Sequence, residues 1–134
     1  MLDTNVLVAA VRSRRGASFE IVSRLGTATF DITVSVALVL EYESALLRHV
    51  EASPLDEDDV RHLIDYICDV AIGQEIFFLW RPVLRDANDD MVLELAVAGS
   101  CDAIVTHNVK DFGGAETFGI RVMTPAQMLQ ELRG

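Results

Sequence analysis

A chain of 134 residues with 51% hydrophobic side chains has the size and composition of one soluble domain with a continuous core. Charged residues interrupt every apolar run short of the roughly 18 residues that cross a bilayer, and no basic segment precedes a signal-type apolar core, so a cytoplasmic protein with no membrane contact is expected. The net charge of −10, from 21 acidic and 11 basic residues, argues against a broad basic face for nucleic acid, yet suits a protein whose acids gather around a cation.

Met1 to Asp3 reads as the end of a short strand with an acidic last residue, cut short because the chain begins two residues before Asp3. Thr4 to Val11 reads as a helix, with Val6, Leu7, Ala10 and Val11 as its apolar side. Ser18 is the expected cap of a second helix, which carries Phe19, Val22 and Leu25 on one face and stops at Gly26. Phe30–Val34 alternates as a strand does. Ser35 then caps a helix through about Leu47 that buries Leu38, Tyr42, Ala45 and Leu46, with Glu41 or Glu43 facing inward or toward a cleft. Glu57, Asp58 and Asp59 place negative charge in the first turn of the next helix, where Val60, Leu63, Ile64, Ile67, Cys68 and Ala71 follow helical spacing up to Gly73.

Glu75–Trp80 has the continuous apolar character of a buried strand. After Arg81-Pro82, a helix from about Asp89 to Ala98, apolar on most sides, is expected to pack deep against a sheet until Gly99 ends it. Ala103–Thr106 and Ile120–Met123 are strands, Gly113-Gly114 marks a loop between them, and Thr124-Pro125 opens a terminal helix. Short apolar strands alternating with helices specify an α/β domain with a mainly parallel sheet, running undivided over residues 1–134. Cys68 and Cys101 lack CxxC spacing and read as free core thiols. His49, His62 and His107 form no i, i+4 pair, so zinc and redox chemistry are not expected.

Ligands of an open parallel sheet bind outside the carboxyl ends of its strands. Asp3, Asn108 and the group Asp86, Asn88, Asp89 and Asp90 all follow strands and qualify, and Glu41, about two turns into its helix, can point back across that edge. Asp102 precedes its strand, which spans on the order of 13 Å, so it belongs at the far end in a structural hydrogen-bonding role. Each acid alone has a simpler reading: Asp3 with Thr4 as a helix cap, Asp86, Asp89 and Asp90 as partners of a helix dipole, Glu41 as a solvated residue. None of these explains why all fall on one edge. Two or three carboxylates converging there suffice for Mg2+ or Mn2+, which prefer oxygen ligands and retain waters.

Leu2-Asp3-Thr4-Asn5-Val6, Ser35 to Tyr42 with Glu41, Arg85-Asp86-x-x-Asp89-Asp90 and Asp102-Ala103-Ile104-Val105-Thr106-x-Asn108 together resemble, in this order and across nearly the whole chain, the motifs of PIN-domain ribonucleases. The resemblance is closest to the bacterial and archaeal toxins of type II toxin–antitoxin pairs. It implies an α/β/α sandwich with a central, roughly five-stranded parallel sheet, and a Mg2+- or Mn2+-dependent endoribonuclease, often a homodimer, that is inhibited by a small antitoxin. Asp3 matches the first metal acid of the family, Glu41 the second, and Asp89 or Asp90 the third. Asp89 completes the spacing with Asp86, whereas Asp90 lies one residue deeper in the helix.

Asn108 stands where many relatives have a fourth aspartate; its amide oxygen can still assist the metal, and Asp111 can compensate for the missing charge. Asn5 and Thr106 either orient carboxylates and water or satisfy backbone turns. Arg12, Arg14 and Arg15 form the clearest basic cluster, a solvated loop by default and an RNA contact otherwise. The alternative to an active nuclease is a catalytically weak domain that binds RNA or an antitoxin, and a third reading is a small-molecule phosphatase on the same edge.

Overall fold

The computed structural model describes residues 1–75 and 87–133. Residues 1–3 are extended and run parallel to β3 (Ala103–Val105). Leu2 bridges Val105, the Asp3 N–H donates to the Val105 carbonyl, and the Val105 N–H donates to the Met1 carbonyl, both at 2.9 Å. The opposite edge of β3 pairs in parallel with β4 (Arg121–Met123), Ile104 lying against Val122. A second parallel pair joins β1 (Thr33–Val34) to β2 (Ile72–Gly73).

Helices α1 (Thr4–Arg12), α2 (Ala17–Ser23), α3 (Val36–Arg48), α4 (Glu57–Val70), α5 (Ala87–Ala98) and α6 (Pro125–Arg133) surround these strands. α5 packs against both β1 and β3, and so links the two strand pairs. Gly99, just past its end, lets the Thr33 methyl group come closer than any Cβ there would permit. α1 packs on α2 and α3, α3 on α4, and α2 on α6. One hydrophobic cluster takes in residues from Met1 to Leu129 and draws on all of these helices. Leu38, Ile67, Leu93 and Ile104 are fully buried in it, and each such side chain contributes about 1.5–3 kcal/mol relative to exposure.

Local chemistry explains the helix starts. The Ser35 hydroxyl accepts from the Leu38 N–H, and Leu38, Tyr42, Ala45 and Leu46 are the buried residues of α3, as their spacing predicts. Asp56 and Asp59 exchange side-chain and backbone hydrogen bonds in a capping box that opens α4. Thr124 and Gln127 do the same before α6, with Pro125 in the first helical position.

Several expectations change. Gly16, not Ser18, precedes α2; Ser18 lies in the first turn and is buried, Ile21 takes the core position, and Phe19 is exposed. Both cysteines are free; Cys68 is exposed rather than in the core, while Cys101 is half-buried and packs against it. Gly73 does not stop α4, which ends at Val70; it pairs within β2 instead. The expected strand at Glu75–Trp80 falls almost wholly outside the described residues. Among the described residues the sheet consists of two short parallel pairs plus the Leu2–Val105 bridge, rather than five continuous strands. No described helix is long and apolar enough to cross a membrane.

Candidate functional site

Asp3 ends the extended segment and is also the N-cap of α1. Its Oδ1 accepts from the Thr4 N–H at 2.8 Å. Its Oδ2 accepts from the Thr106 hydroxyl at 2.7 Å and from the Asn5 amide at 3.2 Å. Thr106 follows β3 and is wholly buried. Its hydroxyl in turn accepts from the Asn5 amide at 3.1 Å and the Asn108 N–H at 3.0 Å, while Asn5 Oδ1 accepts from the His107 N–H at 3.1 Å. Asn5 and Thr106 therefore lock the carboxylate to the loop after β3. Parallel pairing of residues 1–3 with β3 is what puts these chain ends on one edge.

Asp3 is only 9% exposed. Burial pushes its carboxyl above the usual carboxylate range, the Thr106 and Thr4 hydrogen bonds oppose that shift, and the negative charges of Asp111 and Glu41 add to it. Asp111 reaches this position because Asn108 leads into a short 3-10 turn, Val109–Phe112, anchored by the buried ring of Phe112.

A cleft of about 470 Å³ opens over Asp3. Asp3, Asn5, Glu41, Asp89, Asn108 and Asp111 line it. Glu41 and Asp89 are half-buried, Asn108 and Asp111 exposed. Glu41 is thus the one of the two α3 glutamates that faces the cleft. Asp86 and the side chains of Asn88 and Asp90 lie outside the described residues. Asp102 is exposed and borders a different cavity, with Met1 and Ala103, at the other end of β3. The structural hydrogen bond expected of its side chain is not found among the described residues; only its backbone carbonyl is engaged, accepting from the Arg121 N–H at 3.1 Å.

Three features escaped the sequence reading. Arg48 and His49 line the same cleft, as does Arg12, whereas Arg14 and Arg15 do not. Arg48 is seven residues beyond Glu41, a helical repeat that brings it to the same face. The third is a 2.8 Å hydrogen bond between the Ser18 hydroxyl and His107 Nε2, which ties the loop after β3 to α2. No local pattern announces a contact across 89 residues.

Apart from the His49 imidazole, the side-chain acceptors that line the cleft with Asp3 are carboxylate and amide oxygens, the set that suits a hard divalent cation rather than zinc. Among the described residues no three His, Cys, Asp or Glu side chains converge tightly enough to hold an ion as they stand. Charge nevertheless fits a cation: a buried carboxylate is flanked by two further acids that disfavour its ionisation, and a bound cation reverses that effect.

A family model described as PIN domain matches residues 1–110 of the chain, a stretch that contains Asp3, Glu41, Asp89 and Asn108. No curated protein matches the chain.

Proposed function

This chain belongs to the PIN-domain family, generally nucleases, and on that premise we propose that it is a divalent-metal-dependent endoribonuclease. The observation that supports this most is the shared cleft: residues from the end of the first extended segment, α3, α5 and the loop after β3 meet around a buried Asp3. Asp3, Glu41 and either Asp89 or Asp90 would hold Mg2+ or Mn2+, with the Asn108 amide oxygen assisting and Asp111 adding negative charge. Asp86 is a further acid of the same group.

Bound there, the cation supplies Lewis acidity, offsetting charge on phosphoryl oxygens and acidifying water for attack at phosphorus. Thr106 and Asn5 hold the Asp3 carboxylate in one orientation, so this one donor is set in place before a cation or substrate arrives. Asp3, Glu41, Asp89 and Asp111 by themselves would repel a phosphodiester, and a cation held among them would offset that charge.

The same family resemblance motivates the remaining parts of the reading: one domain over residues 1–134 built as an α/β/α sandwich on a roughly five-stranded sheet, a cytoplasmic toxin, a homodimer, and a small antitoxin as partner. Asn108, together with the loose spacing of the described acids, favours the second reading, a catalytically weak domain that binds RNA or antitoxin.

Cleavage of single-stranded RNA with Mg2+ or Mn2+, against a chelator control, tests the proposal. The wild type is expected to cut, and Asp3→Asn and Asp89→Asn/Asp90→Asn to lose at least about a hundredfold, as removal of transition-state charge stabilisation does. Undiminished metal-dependent cleavage in both variants sinks the site assignment. RNA bound but left intact at saturating Mn2+ selects the binding-domain reading.

A further inference from the structure

Resting on the nuclease reading, we propose that Arg12 and Arg48 form a cationic subsite farther along the same cleft. There they hold backbone phosphates of a single-stranded RNA, displaced along the strand from the phosphate being cut. The cleft has a built-in polarity. Asp3 caps α1 and Arg12 closes its last turn; a nine-residue helix separates them by about 13 Å. Glu41 and Arg48 stand two turns apart on α3, roughly 10 Å, with Ala45 between them on the same face.

α1 packs on α3, and each helix contributes an acid and an arginine to the lining of one opening, whose apolar lining is Val8, Ala9, Ala45, Met91 and Val92. The acids suit a cation, and the guanidinium groups, two turns or more away along each helix, suit the anion that the cation accompanies.

The arginines are also uncommitted. Arg24, Arg61, Arg121 and Arg133 each pair with a carboxylate. Arg12 and Arg48 are exposed and, among the described residues, make neither ion pair nor hydrogen bond, although the chain has 21 acids for 11 basic residues; Arg14 and Arg15 are equally unpaired but do not line the cleft. A structural role exists for each: a cation in the last turn of a helix complements its dipole. That role does not account for two such residues meeting in the cleft that also holds Asp3. A single strand is favoured over a duplex because a chain of net charge −10 lacks the basic surface that paired strands require.

The test is equilibrium binding of a labelled oligouridylate of about ten nucleotides to the full chain across a salt series, with Ca2+ present to keep the strand intact. Arg12→Ala/Arg48→Ala is expected to weaken binding about tenfold or more and to flatten the log–log salt slope by about 0.7 per lost phosphate contact. In cleavage with Mg2+ the same pair raises KM with kcat within about twofold, the pattern of uniform binding. Arg12→Lys/Arg48→Lys restores the slope, since lysine also neutralises phosphate.

Arg61→Ala/Arg133→Ala removes equal charge away from the cleft and is expected to leave the slope unchanged. An unchanged slope in the cleft pair, or an equal loss in the control pair, overturns the subsite. A wild type that binds but never cuts overturns the nuclease reading alone, and the slope still decides the subsite. A wild type that binds no oligouridylate overturns the subsite, and the cleavage assay still decides the nuclease reading.

Discussion

Thr106→Val removes one buried hydroxyl that ties three parts of the site together while nearly preserving the shape of the side chain. The hydroxyl donates to the ionised Asp3, a charge-assisted bond contributing about 1.5–3 kcal/mol, and accepts from Asn5 and from the Asn108 N–H. Asn5 keeps Asp3 as a partner, and Asn108 is exposed, so its N–H regains water. These two bonds therefore add little, and the total loss is about 2–4 kcal/mol. At a urea dependence of about 2 kcal/mol per molar, the unfolding midpoint falls by roughly 1–2 M. Thr106→Ser keeps the hydroxyl and loses only a buried methyl group, about 1 kcal/mol.

The pH dependence provides an independent readout. The folded carboxyl of Asp3 lies above its ordinary value of 3.8, mainly through burial, and the Thr106 bond is the largest influence restraining that shift. A raised folded value means that the stability gained by protonating Asp3 is complete below pH 3.8 and is lost as pH rises through the raised value. In Thr106→Val the folded value rises further. The penalty of the substitution is therefore small at acid pH and grows toward neutrality, and the acid limb of any metal-dependent activity moves to higher pH. A midpoint shift below a few tenths of a molar, or a penalty that does not change with pH, refutes this account of the network.

Tyr42→Phe removes the donor to the buried Leu2 carbonyl and is expected to cost about 1–3 kcal/mol in urea unfolding; a neutral result means that the carbonyl finds another partner. Gly26→Ala forces a side chain onto a backbone at φ +80° and against the Tyr66 hydroxyl, which donates to Leu25, so a thermal melt is expected to show a loss of about 1–3 kcal/mol. Mn2+ at about a hundred times its dissociation constant raises wild-type stability by about 2.7 kcal/mol, read as a thermal shift; an equal shift in Asp3→Asn removes Asp3 from the metal set. Asn108→Asp adds a carboxylate to the cleft, so it is expected to lower metal-free stability above the carboxylate range while tightening Mn2+ binding. Unchanged Mn2+ affinity by calorimetry detaches position 108 from the metal.

What the sequence disclosed follows the range of the forces involved. The caps at Ser35 and Thr124, the acidic first turn of α4 and the buried face of α3 depend on residues within a turn or two, and they were legible. Strand pairing was not, because it depends on partners far along the chain. Gly73 reads as a helix stop, yet its residue partner is Val34, and nothing local distinguishes the two outcomes. Phe19, expected on the apolar face with Val22 and Leu25, is exposed while Ile21 is buried for the same reason: a seven-residue helix has too few turns for periodicity alone to fix which side meets the core. Cys68 follows the apolar spacing of α4 yet falls at the exposed margin of its buried stripe, a boundary set by where α3 lies.

For Asp3 the two sequence readings, helix cap and cleft acid, were alternatives only while the chain was read as a line. In space one oxygen caps α1 through Thr4 and the other is held by Thr106 and Asn5, so capping is part of what fixes the carboxylate. A residue that ends an extended segment and opens a helix has its backbone set by both elements. Its side chain therefore projects at the carboxyl edge, where the loop after β3 also ends. Substituting Asp3 by serine separates the contributions. Serine retains a cap oxygen, so α1 is expected to persist in circular dichroism, while the charge that draws a cation is gone. Loss of helix together with loss of metal response would mean that the cleft cannot be disentangled from the cap.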